Sequence, residues 1–155
     1  MGSGKTTVGG LVAELARTSH CDLDSLIEEC AGMSVSEVFK TAGEGRFRAL
    51  ESSLLGSALE PGVVVSLGGG TPMEEANWAL LQAMALTVFL DAPLETLLAR
   101  VGGGEGRPLL AGGGSGAAAR LLDARLPRYR QADHIVNAAR PAPDVAQEVV
   151  ALWRR

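Results

Sequence analysis

The chain is predicted to be an α/β protein built on a parallel sheet, and three observations carry that expectation. Strand-like and helix-like segments alternate along its length. Two strand candidates, 63–67 (Val-Val-Val-Ser-Leu) and 86–90 (Leu-Thr-Val-Phe-Leu), are continuous apolar runs, the pattern of strands buried on both faces. At the start, the glycine-rich stretch Gly2-Ser3-Gly4 runs straight into a helical pattern with Val8, Leu11, Val12 and Leu15 on one face.

The other elements follow in order. Residues 19–22 form a short, polar strand candidate, and Leu26, Ile27 and Cys30 continue a helix ended by Gly32. Ser34-Val35-Ser36-Glu37 is a capping box that opens another helix, stopped at Gly43. A helix over 44–59 carries Phe47, Leu50, Leu54, Leu55 and Ala58 in register. Pro61-Gly62 punctuates before the 63–67 strand, which ends in Gly68-Gly69-Gly70. Asp91-Ala92-Pro93 closes the 86–90 strand, and 94–101 reads as helix. The segment 102–116 holds eight glycines around Arg107-Pro108-Leu109-Leu110 and reads as a linker or a lid. A helix over 117–131, a strand over 134–136 and a final helix marked by Val145, Val149 and Leu152 complete one domain, 1–155.

Composition excludes several functions. A net charge of −4 argues against nucleic acid or an anionic membrane as the main partner, and aromatics at 4% are too few for a base-stacking surface. No apolar run approaches the roughly 20 residues that span a bilayer. Cys21 and Cys30 lack metal-ligand spacing and read as buried or half-buried free thiols, so the cytoplasm is the expected compartment. With no evident exposed apolar stripe, a monomer is expected.

The chemistry begins at residues 2–7. Gly4-Lys5-Thr6 ends the phosphate-loop pattern, in which backbone N–H groups and a helix N-terminus close on phosphate oxygens. In that reading Lys5 reaches the phosphates and the Thr6 hydroxyl binds Mg²⁺; a flexible glycine-serine tail is the alternative. Asp22 and Asp24 follow at the end of the polar strand, beside the loop in an open parallel sheet. They suit a Mg²⁺ shell and a substrate hydroxyl, or plain helix capping. Arg48 and Glu51 share a helical face; taken alone they read as a surface ion pair of little weight. Three glycines directly after a core strand, 68–70, permit close backbone approach to a ligand. Arg107 is either a solvated charge or an arginine delivered to transferring phosphate. Arg125, Arg128 and Arg130 surround Pro127 and Tyr129 near a helix end, where cations also complement the helix dipole. His20 and His134 have no partner spacing that suggests catalysis and read as structural.

In sequence, Gly-Ser-Gly-Lys-Thr at 2–6, Asp-x-Asp at 22–24, Gly-Glu-x-x-Phe-Arg at 43–48 with Glu51, Leu-Gly-Gly-Gly at 67–70, Arg-Pro-Leu-Leu at 107–110, and Arg125 ahead of Tyr129-Arg130 resemble the shikimate kinase family. The resemblance implies a three-layer P-loop kinase fold with strand order 2-3-1-4-5 and transfer of a phosphoryl group from ATP to shikimate, giving shikimate 3-phosphate. It implies that Gly2, Ser3, Gly4, Lys5, Thr6 and Thr7 hold ATP phosphates, with Arg100 and Arg140 in the adenine-contacting region. Mg²⁺ would be held by Thr6 and, through water, by Asp22. Asp24 would bind the attacking hydroxyl and accept its proton. Arg48 and Arg125 would clamp the carboxylate, Glu51 would orient Arg48, and Gly68, Gly69 and Gly70 would line the substrate site. Residues 22–60 would form the substrate-binding region, and Arg107 would arrive with a 102–116 lid. A gluconate-type kinase of the same fold, or an inactive domain, are the alternatives; Arg48, Glu51 and Arg125 favour the acid.

One departure stands out. The first glycine of the phosphate loop and the central strand before it are absent from the sequence. The expectation is a start assigned at an internal methionine, with about ten upstream residues encoding a β-branched apolar run that ends in glycine. Without that strand, the 63–67 and 86–90 strands lack the neighbour that joins them.

Overall fold

A computed structural model describes residues 2–101 and 114–154; Arg107 and nearly all of the 102–116 segment lie outside the described residues. The elements run α1 (Lys5–Ala16), β1 (His20–Asp22), α2 (Leu23–Ala31), α3 (Val35–Ala58), β2 (Val64–Ser66), α4 (Glu75–Met84), β3 (Val88–Asp91), α5 (Leu94–Val101), α6 (Gly114–Tyr129), β4 (His134–Asn137) and α7 (Ala142–Trp153). The expected alternation holds. Gly4 precedes α1 at φ 84°, a conformation glycine takes at little cost. The Asp22 side chain caps α2 by accepting from the N–H groups of Asp24 and Ser25. Ser34 and Glu37 form the capping box of α3, and Gly43 (φ 79°, ψ 171°) splits that helix into the two expected segments. Helix α4 has no sequence assignment because its buried apolar residues are only Trp78 and Leu81 and no side chain caps its start.

All strand pairs are parallel. β1 lies on β2 with His20 opposite Val64 and Asp22 opposite Ser66; β3 lies on β4 with Val88 opposite His134 and Asp91 opposite Asn137. Among the described residues these are two separate two-stranded sheets. Between them runs a cavity of about 340 Å³, lined by β2 and β3 along with Val8, Val12, Trp78 and Leu81. That cavity corrects one expectation. The two apolar strands are not buried on both faces: Val64, Val65, Val88 and Phe89 are half-buried and Leu86 is 45% exposed, because open space runs beside them.

Two apolar clusters cover the faces of the sheets, as a three-layer fold requires. One gathers Val8 and Val12 of α1, Leu97 of α5, and Val145, Ala146 and Val150 of α7 around Leu90 and Val136, with Val64 against it. The other gathers Leu23 and Ile27 of α2, Phe47 and Leu55 of α3, and Trp78 and Leu81 of α4, with Val65 against it. Neighbouring Val64 and Val65 thus serve opposite layers, the period of a strand. Cys21 is half-buried as expected, whereas Cys30 is exposed near the Gly32 end of α2.

Candidate active site

The glycine loop ends on the first turn of α1. Gly2 (φ 62°) and Gly4 (φ 84°) turn the backbone, and the first helical turn carries no acidic residue to compete for an anion. A second cavity, of about 470 Å³, opens on this loop and is lined by Gly2 through Thr7 together with Arg100, Arg140 and Val145. Arg100 donates to the Ala138 carbonyl at 2.8 Å, and Arg140 pairs with Glu148 and donates to the Asn137 carbonyl. Both sequence-expected cations therefore border the loop cavity, fixed by their own partners.

The two oxygens of Asp22 make different contacts, one of them the helix cap that the sequence allowed. Its Oδ1 caps α2, while its Oδ2 accepts from the Thr6 hydroxyl at 2.6 Å. Asp24, two residues on, faces the glycine turn after β2: a β-carbon at Gly68 would lie 3.1 Å from Asp24 Oδ1 and 2.8 Å from Glu51 Oε1. Burial pushes the Asp24 carboxyl above its ordinary range, the charges of Asp22 and Glu51 push it further, and Lys5 pulls it back.

Arg48 and Glu51 are not the weak surface pair that their spacing alone suggests. Glu51 is fully buried and Arg48 has 17% of its side chain exposed, with Nη1 donating to Glu51 Oε2 at 2.6 Å. Away from solvent such a pair is screened little. The pairing follows from the fold, since α3 lays this face under the Gly68–Gly70 turn. Burial works against the Arg48 charge, but Glu51 and then Glu44 hold its pKa above the usual value. A β-carbon at Gly70 would collide with the Arg48 guanidinium, and one at Gly69 would lie 3.1 Å from Arg125 Nη1. Asp24, Arg48, Glu51 and Arg125, scattered over a hundred residues, thus meet on one turn of three glycines.

Several residues at the site make contacts to which the sequence assigns no role. The Tyr129 hydroxyl donates to the Gly69 carbonyl at 2.6 Å, and its ring stacks on Phe89 at 5.1 Å. Burial raises the Tyr129 pKa, while the charge and hydrogen bond of Arg125 and the charge of Arg48 hold it back. The Ser66 hydroxyl donates to the Lys5 carbonyl at 3.0 Å and lies 2.9 Å from His20 Nε2, tying the loop helix to both strands. A lone serine in an apolar strand was the available signal. Thr71 and Asn77 are buried behind the glycine turn and gave none.

A parallel α/β fold in which a glycine loop opens a helix beside acids at the strand ends defines the class of P-loop kinases. The comparisons narrow it. A family model described as shikimate kinase matches residues 1–153. A shikimate kinase of Gloeobacter violaceus is 45% identical over 153 residues, covering 97% of this chain and 86% of that relative. One of Synechococcus elongatus is 40% identical, covering 96% and 79%. Among solved structures, shikimate kinase from Acinetobacter baumannii in complex with shikimate superposes at a TM-score of 0.95 with 32% identity, covering 99% of this chain and 88% of that one. The enzyme from Bacteroides thetaiotaomicron superposes at 0.90 with 32% identity, covering 100% and 94%. The chain belongs to the shikimate kinase family, phosphotransferases with an alcohol acceptor.

Proposed function

We propose that this chain carries out its family's reaction, moving the γ-phosphoryl group of ATP to a hydroxyl of shikimate, with Lys5 and Asp24 as catalytic residues and Arg48 and Arg125 as the carboxylate clamp. The observation that carries this reading is the convergence of Asp24, Arg48, Glu51 and Arg125 on the Gly68–Gly70 turn. A small acid with several hydroxyls needs that set: cations for the carboxylate, a base for one hydroxyl, and backbone close to the ring.

Each group has a task. The amides from Gly2 to Thr7 and the Lys5 ammonium hold the phosphates, supported by the helix dipole. Arg100 and Arg140 line the same cavity and would contact the adenine base. Asp24 accepts the proton of the attacking hydroxyl as its oxygen bonds to the γ-phosphorus and the bond from that phosphorus to the bridging oxygen breaks, releasing ADP; its raised pKa makes it a better base than an ordinary carboxylate. Glu51 keeps Arg48 oriented. Arg107 would neutralise charge on the moving group.

The residues fit a magnesium ion. Thr6 Oγ1 and Asp22 Oδ2 are hard oxygen donors 2.6 Å apart at the loop, and Mg²⁺ bound with nucleotide needs only one or two protein oxygens. Bound there, Mg²⁺ would offset phosphate charge. A cytoplasmic monomer completes the proposal.

The test is ADP release measured with a coupled assay over shikimate, quinate and gluconate. Shikimate-dependent turnover is expected, with Arg48→Ala and Arg125→Ala each raising KM for shikimate at least tenfold (about 1.4 kcal/mol). Turnover with gluconate and none with shikimate would overturn the assignment.

A further inference from the structure

Behind the substrate turn lies a buried polar chain that the roles above do not use. Glu51 Oε2 is taken by Arg48, while its Oε1 accepts from the Thr71 hydroxyl at 2.5 Å. Thr71 is fully buried; its N–H donates to the Gly68 carbonyl at 3.2 Å, and its own carbonyl accepts from Asn77 Nδ2 at 3.1 Å. Asn77 is 3% exposed and sits in the first turn of α4. The chain thus runs from a helix end, through the residue that follows the three glycines, to the carboxylate that holds Arg48.

We propose that Thr71, held in place by Asn77, is a positioning residue for recognition of the substrate carboxylate: its hydroxyl fixes the Glu51 carboxylate plane, and through it the edge that Arg48 turns to the pocket. The proposal rests on the reading of Arg48 as a carboxylate clamp. A carboxylate with one free oxygen can rotate about its last bond, and a guanidinium paired to it follows. With both oxygens engaged, Arg48 is held before substrate arrives, so little ordering remains to be done on binding. The same residue fixes the glycine turn through Gly68, so the clamp and the backbone that faces the ring share one anchor.

The test compares Thr71→Val with Thr71→Ser by steady-state kinetics, thermal melting and ¹⁵N spectra of the arginine side chains. Thr71→Val is expected to raise KM for shikimate about tenfold, the scale of a hydrogen bond to a charged group. KM for ATP and kcat should stay within about threefold, and the Arg48 guanidinium signals should show faster rotation; Thr71→Ser should restore both readouts. Unchanged KM for shikimate and unchanged Arg48 signals in Thr71→Val would overturn the proposal. So would parallel rises in both KM values with a lowered melting temperature, which mark a merely structural residue. If the unaltered chain turns over no shikimate, the functional assignment fails, and the Arg48 signals alone then decide whether Thr71 positions that side chain.

Discussion

At the scale of single residues, Asp24 shows how function and stability pull apart. Its carboxyl titrates above the ordinary value of 3.8 because burial, Asp22 and Glu51 all oppose the charge. Between the ordinary and the raised pKa, the folded state holds more protons than the unfolded one. Stability therefore declines as pH rises through that window and stays lower above it. Asp24→Asn removes the unfavourable charge and the proposed proton acceptor together. It is expected to melt higher than the parent near pH 7, with the difference closing as pH falls below the ordinary carboxylate value, while kcat drops by about 10²–10⁴. Calorimetry at the two pH values and a coupled assay check both halves. A variant that is less stable at pH 7, or that retains its kcat, would contradict the account.

At the scale of elements, the packing of α1 on the β1–β2 pair fixes the loop, and two adjacent glycines read it out. A β-carbon at Gly9 would lie 2.6 Å from Ser66 Oγ and 2.7 Å from His20 Nε2, whereas one at Gly10 would meet nothing within 4 Å. Gly9→Ala should cost about 1–3 kcal/mol by overpacking and should raise KM for ATP more than KM for shikimate, since Ser66 also holds the Lys5 carbonyl. Gly10→Ala should instead stabilise by up to about 1 kcal/mol through helix propensity. Equal melting temperatures for the two variants would refute this packing. The same contrast shows what the sequence could tell. Local signals were legible: the Ser34–Glu37 box, the Gly32 and Gly43 stops, and the apolar runs of β2 and β3. The acids and arginines of the site were legible once their order along the chain was seen. What remained hidden depends on tertiary contact. Nothing near Gly9 reveals that Ser66 lies against it, nothing near Glu51 reveals that its other oxygen is met by Thr71, and the spacing of Arg48 and Glu51 does not say that the pair is buried.

At the scale of the whole molecule, the two half-sheets and the cavity between them limit stability. β2 and β3 both border that cavity and are not paired to each other among the described residues, so backbone groups along it lack the ladder partners that a continuous sheet would supply. The two apolar clusters approach it from opposite layers through Val8 and Val12 on one side and Trp78 and Leu81 on the other. An extended segment running parallel to both strands would meet apolar side chains on each face and hydrogen-bonding backbone at each edge. Burying a valine or isoleucine side chain yields about 1.5–3 kcal/mol, and ordering its backbone costs about 1–2 kcal/mol. The balance per residue is small and favourable, and ladder hydrogen bonds add to it. Joining a β-branched apolar run of about five residues, a glycine and one spacer residue ahead of Met1 should therefore raise the melting temperature by roughly 5–10 °C, at about 2–4 °C per kcal/mol for a chain of this size. It should also suppress binding of an apolar dye to the cavity. A serine-glycine extension of equal length should do neither. Identical melting and dye fluorescence for the two extended chains would show that the cavity does not accept a strand.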